Sequence, residues 1–270
     1  MTKVARIALA AISATILIAA CGGSTMDNPD SLEGQWKIEQ IADESGVPTP
    51  PVDGTSPFVG FGDVNTDQSN ASGNTGCNTF SGPVDIGQDG SYEAGTFMMT
   101  LMGCPESLGA QEGLILSHMS SADSWSVDGD TASLSIERSV LLALRRIDTS
   151  IEASAWAVTG INNQTGGVQS VAADTEPTLF FEADQVLSGT SGCNSLNGSY
   201  TVDGADIAIG PVATTRKFCQ SPDGVMEQEQ NMTAALANAS TYEINGLSLT
   251  LRNSDGHTMI TARRVPEPRP

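Results

Sequence analysis

Basic residues are scarce in this sequence. Twelve Lys and Arg stand against 32 Asp and Glu, for a formal net charge of −20. So acidic a surface repels polyanions, which excludes nucleic acid as a partner. Histidine is scarcer still: His118 and His257 are the whole complement. No Cys-x-x-Cys occurs, so the ligand spacing of a zinc site is missing and no metal is expected. There is no Gly-x-Ser-x-Gly elbow and no phosphate loop. No catalytic residue and no cofactor are assigned, and the chain is read as a non-enzyme. Aromatic residues make up 5% and apolar residues 39%, so any core is modest. Long apolar runs are missing with one exception, Ile7 to Ala20, and that stretch is too short for a comfortable bilayer span.

The exception reads as a targeting segment. Lys3 and Arg6 precede it, and it ends Ile18-Ala19-Ala20-Cys21. This ending resembles the lipobox of bacterial lipoproteins, in which the cysteine is lipidated and becomes the first mature residue. The resemblance implies a signal peptide over 1–20 and a lipid on Cys21. Gly22, with no Asp there, is similar to lipoproteins sent to the outer membrane. The expected place is therefore the cell envelope, on the outer membrane and facing the periplasm. Residues 21–31 are polar and form a flexible tether. Losing Lys3 and Arg6 with the leader deepens the net charge to −22.

What the sequence does contain, it contains twice. Gly76-Cys77-Asn78 recurs as Gly192-Cys193-Asn194. A second cysteine follows each, Cys104 and Cys219, and then a Gln-Glu pair, Gln111-Glu112 and Gln228-Glu229. A tandem duplication of this kind predicts two domains, 32–147 and 151–265, with a stiff tail over 266–270. Each is large enough to fold alone. With Cys21 taken by lipid, four cysteines remain, which allow three connectivities. In an oxidising compartment the duplication favours the one that keeps each bridge inside its unit, Cys77–Cys104 and Cys193–Cys219.

Most segments alternate as strands do. Trp36 to Ile41 matches Trp156 to Ile161, and Phe58 to Phe61 matches Leu179 to Phe181. Asp89-Gly90, Asp128-Gly129, Asn197-Gly198, Asp203-Gly204, Asn245-Gly246 and Asp255-Gly256 read as turns. One helix interrupts each unit, with Leu108, Glu112, Ile115, Met119 and Ala122 on one face, and Val225, Glu229, Met232, Leu236 and Ala239 on its counterpart. The predicted class is α+β, mostly β. Each domain is a curved antiparallel sheet, half-barrel-like, under one covering helix.

Each unit resembles a META domain. Unit two carries the likeness best, through Trp156, Leu179-Phe180-Phe181, Gly192-Cys193-Asn194, Ala213-Thr214-Thr215-Arg216, Cys219 and Met226-Glu227-Gln228-Glu229. Unit one keeps Trp36, Gly76-Cys77-Asn78, Cys104-Pro105 and Gln111-Glu112, but has Thr100-Leu101-Met102 in place of Thr215-Arg216-Lys217. The resemblance implies a curved sheet with a helix, an envelope location and a link to stress tolerance. It brings no catalytic residue and no cofactor.

The candidate site residues follow from the repeat. Gly-Cys-Asn reads as a structural knot, with Asn78 and Asn194 bonding their own turns. Glu112 and Glu229 lie on apolar helix stripes and need satisfying partners, backbone N–H groups or a nearby Arg or Thr. Arg216 and Lys217 are a basic spot beside the second bridge, read as an exposed strand pair able to meet an anion. Asp63 to Ser69 has the alternating oxygens of a calcium loop but lacks its turn glycine and closing glutamate, so it reads as a hairpin tip. Expected partners are the membrane, through the lipid, and an unidentified envelope protein or small apolar ligand. For the last, Phe97, Met98, Met99 and Met102 are the candidate groove in unit one.

Overall fold

The structure is a computed structural model and describes residues 31–62 and 69–265. Cys21, the leader, the tail and the Asp63–Gln68 part of the calcium-like loop lie outside the described residues. The first domain contains β1 (Gly34–Ala42), β2 (Pro48–Thr49), β3 (Phe58–Phe61), β4 (Ser69–Asn74), β5 (Thr79–Ile86), β6 (Tyr92–Ala94), β7 (Met98–Met99), α1 (Glu106–Ser121), β8 (Ser124–Asp128), β9 (Thr131–Ile136) and β10 (Ser139–Arg146). The second repeats the plan with β11 (Ser154–Asn162), β12 (Val168–Ser170), β13 (Thr178–Phe181), β14 (Val186–Thr190), β15 (Ser195–Asp203), β16 (Asp206–Ile209), β17 (Ala213–Thr214), α2 (Val225–Asn238), β18 (Thr241–Asn245), β19 (Ser248–Arg252) and β20 (Thr258–Arg264).

Both sheets are antiparallel and mostly β, as the alternation predicts, and they curl further than half a barrel. In the second domain the order runs β11-β13-β14-β15-β16-β18-β19-β20, and β20 pairs back onto β11. The ring is closed. In the first the order is β6-β5-β4-β3-β1-β10-β9-β8. The gap between its ends is bridged at Ser91 and Ser124, and Tyr92 N donates to Asp123 O at 3.0 Å. Closure removes the exposed edges that an open sheet would present.

Alternation decides what lies inside. On β1 Trp36 and Ile38 are fully buried while Lys37 and Glu39 point outward. Trp156 and Val158 repeat this on β11. Each strand carries a bulge at the same place, at Glu39 and at Thr159, where the register with the last strand shifts. The helix of each domain adds to the core, Ile115 and Met119 in one, Met232 and Leu236 in the other. The interiors are filled by these side chains.

One turn expectation fails. Asn197-Gly198 lies inside β15, where Gly198 pairs with Leu187. The glycine is there for room: a Cβ on it would approach Val212 and Pro211 O at 3.3 and 3.4 Å. The Asn245-Gly246 turn forms as read, with Gly246 at φ 59°, and joins β18 to β19.

Candidate functional site

The duplicated residues converge in each domain on one knot beneath the helix. The backbone first makes a tight loop. Gly76 and Gly192 hold φ values of 100° and 101°, which a side chain disfavours. Cys77 is bonded to Cys104 and Cys193 to Cys219, with Cα separations of 6.2 and 6.1 Å. The bridge ties the loop to the segment leading into the helix.

The asparagine side chain touches its own turn weakly, Nδ2 lying 3.8 Å from Cys77 Sγ in one domain and 3.5 Å from Cys193 Sγ in the other. Its shorter bonds reach across to the pre-helix segment. Asn194 Oδ1 accepts from Lys217 N at 2.8 Å and from Thr215 Oγ1 at 2.6 Å, while its Nδ2 donates to Lys217 O at 2.8 Å. Asn78 makes the matching set with Met102 N, Thr100 Oγ1 and Met102 O at 2.8, 2.8 and 3.3 Å. One side chain thus mimics a strand partner. The local turn is held by a neighbouring hydroxyl, with Asn78 N donating to Thr75 Oγ1 at 3.1 Å and Asn194 N to Ser191 Oγ at 3.2 Å.

The helix glutamates complete the knot. Glu229 Oε2 accepts from Asn194 Nδ2 at 2.6 Å and from Ser191 Oγ at 3.1 Å. Glu112 accepts from Asn78 Nδ2 at 3.3 Å and from Thr75 Oγ1 at 2.7 Å. The satisfying groups are an amide and a hydroxyl, not backbone N–H or arginine. Both carboxylates are half-buried. What the arrangement does chemically is hold a loop, since each of these donors is spent on its neighbour.

Reading the sequence gave weight to the glutamates and too little to the glutamines before them. Gln111 and Gln228 are the more deeply buried. Gln228 Oε1 accepts from Ala172 N at 2.6 Å and its Nε2 donates to Ser191 O at 2.7 Å. Gln111 joins Val52 N to Thr75 O, both at 2.6 Å. Each stitches a long loop to the knot, and the recurring Gln-Glu pair was the signal. A second missed pair is Arg146 and Arg264. Their guanidiniums lie 4.2 and 4.9 Å over Trp36 and Trp156. Each straps the segment leading into its domain's first strand, Arg146 through Ser31 O and Glu33 O, Arg264 through Asp148 O and Ser150 O.

Arg216 and Lys217 sit in the loop after β17 rather than on a strand, because the backbone of Lys217 is turned toward Asn194. Their side chains are exposed. The four candidate groove residues separate. Phe97 packs against Phe80 at 5.6 Å and Met99 lies against the core, while Met98 and Met102 are exposed. His118 is consumed structurally: its Nε2 lies 2.6 Å from Ala42 O, which makes that nitrogen the donor. Among the described residues no cluster of three His, Cys, Asp or Glu is placed to hold a metal ion, and no helix is long and apolar enough to cross a membrane.

The META domain family model matches residues 30–148 and again 149–266. The chain belongs to the META domain family. It carries two META domains in tandem. Among solved structures, one described as an NMR structure of the protein from Burkholderia xenovorans is 22% identical, covering 43% of this chain and 85% of that one at a TM-score of 0.37. A crystal structure of a DUF4847 family protein from Bacteroides vulgatus is 19% identical, covering 41% and 92% at a TM-score of 0.27. A comparison with curated proteins finds no match.

Proposed function

We propose that this tandem META protein is a non-enzymatic lipoprotein of the bacterial envelope, anchored through Cys21 to the outer membrane and facing the periplasm. It works there by binding or by supporting the envelope under stress. One observation carries the reading: the polar residues kept in both repeats, Asn78, Gln111 and Glu112 in one and Asn194, Gln228 and Glu229 in the other, are engaged in holding loops together. The knots maintain two stable, disulfide-stapled barrels, and activity then falls to their outer surfaces. The disulfides suit an exported location. An apolar ligand inside the sheet is the weaker reading, since the barrel interiors are filled.

The experiment is expression of the full chain and Cys21→Ser in a Gram-negative host. Labelled fatty acid enters the native chain and not the variant, and only the native chain fractionates with outer membranes. Deleting the gene sensitises its host to heat or oxidant. A reproducible hydrolase activity of the purified protein, lost in Glu229→Gln, would overturn the non-enzymatic reading.

A further inference from the structure

The two barrels meet at a cleft of about 600 Å³, within the usual range for small-ligand sites, which favour domain interfaces. Its floor is the outer face of β18, β19 and β20. Its opposite wall is the first domain's Ser56, Phe58, Asn74 and Thr79. Gln35 fixes the gap: its Nε2 donates to Ile244 O at 2.8 Å and its Oε1 accepts from Gly246 N at 2.6 Å. A Cβ on Gly246 would come within 2.7 Å of the Phe58 ring, so the turn lies close against that ring.

The duplication shows what is unusual about the floor. Arg145, on the outer face of β10, has its Nε 2.9 Å from Glu39, the bulge residue of β1. The matching arginine of β20 is Arg263, and the matching bulge residue of β11 is Thr159, which bonds Thr261 instead. Lys37, the neighbour of Arg145 in register, becomes Ala157 beside Arg263. Among the described residues Arg263 has no ion pair. Its guanidinium is exposed and lines the cleft. Arg252 lines it too, donating to Thr258 Oγ1 at 3.1 Å and paired with an exposed Glu243 at 3.4 Å. A pair of that kind is weak and gives way to a better acceptor. Ser248, Thr250, Asn245 and Leu247 complete the floor, together with the Glu243 carboxylate, which an incoming anion displaces from Arg252.

We propose that this cleft is a binding site for a small, hydroxyl-rich anion, a sugar-like molecule carrying a carboxylate or a phosphate. Arg263 takes the anionic group through its planar fork, Arg252 supports it, and the hydroxyl-bearing walls take the rest. An acidic protein repels anions at long range, so binding is carried by the local contacts to Arg263 and Arg252. This deepens the proposed binding role and does not depend on the lipid anchor, so its failure leaves the Cys21 experiment standing.

The test is an amide NMR titration of the full chain with glucuronate, glucose 6-phosphate and glucose, each to about 10 mM. One or both acids give saturable shifts confined to β18–β20 and to residues near Phe58 and Asn74; glucose gives none. Which acid binds identifies the anionic group. Arg263→Gln weakens binding at least about tenfold, the loss of a charge-assisted contact. Arg145→Gln, the matching change in the first domain, has no effect. Spectra of both variants retain the native dispersion, which separates lost binding from lost folding. No saturable shift with either acid, equal shifts with glucose, or equal losses in the two arginine variants would overturn the proposal.

Discussion

Asn194 Nδ2 donates to Glu229 Oε2 at 2.6 Å, and Asn78 stands in the same relation to Glu112 at 3.3 Å. An amide is needed at this point because it presents a donor to the carboxylate and an acceptor to the backbone of the next segment. Asn194→Asp keeps the shape and replaces the donor with a second carboxylate. Two carboxylates so close cannot both ionise without cost. The expected loss is about 2–4 kcal/mol at neutral pH. The introduced carboxylate has a raised folded pKa, so the folded state holds an extra proton and the loss shrinks as pH falls toward the ordinary carboxylate range. Urea melts of native, Asn194→Ala and Asn194→Asp chains at two pH values check this. A loss for Asn194→Asp that is independent of pH would show that Glu229 does not face it.

Gln228 spans Ala172 N and Ser191 O, and Gln111 spans Val52 N and Thr75 O. Truncating either leaves a partly buried N–H and a buried carbonyl without the glutamine as partner. Gln228→Ala is expected to lose about 2–3 kcal/mol, and hydrogen exchange should rise first at Ala172. Glu227→Ala, one position earlier and exposed, is the control and should move stability by no more than about 0.5 kcal/mol.

The barrel framework was readable because burial imposes period-two alternation on strands such as Trp36–Ile41, and because the repeat let each copy check the other. The knot was readable only as a list of recurring residues. Which atom bonds which depends on the approach of segments more than twenty positions apart, such as Asn194 and Lys217, and no local pattern encodes that. Asn197-Gly198 misled for a related reason: a glycine required by Pro211 and Val212 passing overhead looks in sequence like a glycine required by a turn. The cleft was invisible in sequence, since it depends on how one barrel sits on the other. Yet its key contrast, Glu39 in one copy against Thr159 in the other, was there to be aligned.

Each bridge closes a loop of similar length, Cys77–Cys104 spanning 27 positions and Cys193–Cys219 spanning 26. Loop entropy gives each about 3 kcal/mol. A Cys193→Ser, Cys219→Ser double variant should lose about that much in the second domain and leave the first unchanged. Domain-resolved hydrogen exchange would show it; an equal loss in both domains would mean they unfold as one unit.

The two domains pack a tyrosine edge-on to the same phenylalanine from different strands. Phe61 meets Tyr92 of β6, and Phe181 meets Tyr200 of β15. The Tyr200 hydroxyl donates to Glu182 O at 2.7 Å, whereas the Tyr92 hydroxyl has no partner among the described residues. Tyr200→Phe is expected to lose about 1 kcal/mol, and Tyr92→Phe to be neutral or stabilising. Burial, aided by Glu152, Asp184 and Glu182, pushes the Tyr200 phenol up to about 12. Burial raises Tyr92 as well. A raised folded value means this stability is intact below about pH 10, the ordinary tyrosine value, and is lost as pH climbs through the folded one. Phenolate absorbance should therefore appear together with unfolding in that window. Ionisation of both tyrosines well below it, with the fold intact, would contradict their burial.

Among the described residues Gln35 is the one side chain whose amide closes a ring of two hydrogen bonds across the barrels, to Ile244 O and Gly246 N. Its counterpart in the second domain is Ala155, which cannot repeat the contact. Gln35→Ala should therefore leave each barrel's stability nearly unchanged, because the residue is half-buried and outside both cores. Two hydrogen bonds at about 1 kcal/mol each bound the effect on docking to roughly a thirtyfold shift toward undocked barrels. Small-angle scattering and NMR relaxation read the outcome directly: the native chain tumbles as one body, and the variant's barrels tumble more independently. Because the cleft exists only when the barrels are docked, the same substitution should weaken anion binding without touching Arg263. A variant that frees the barrels and binds as before would place the ligand on one domain alone.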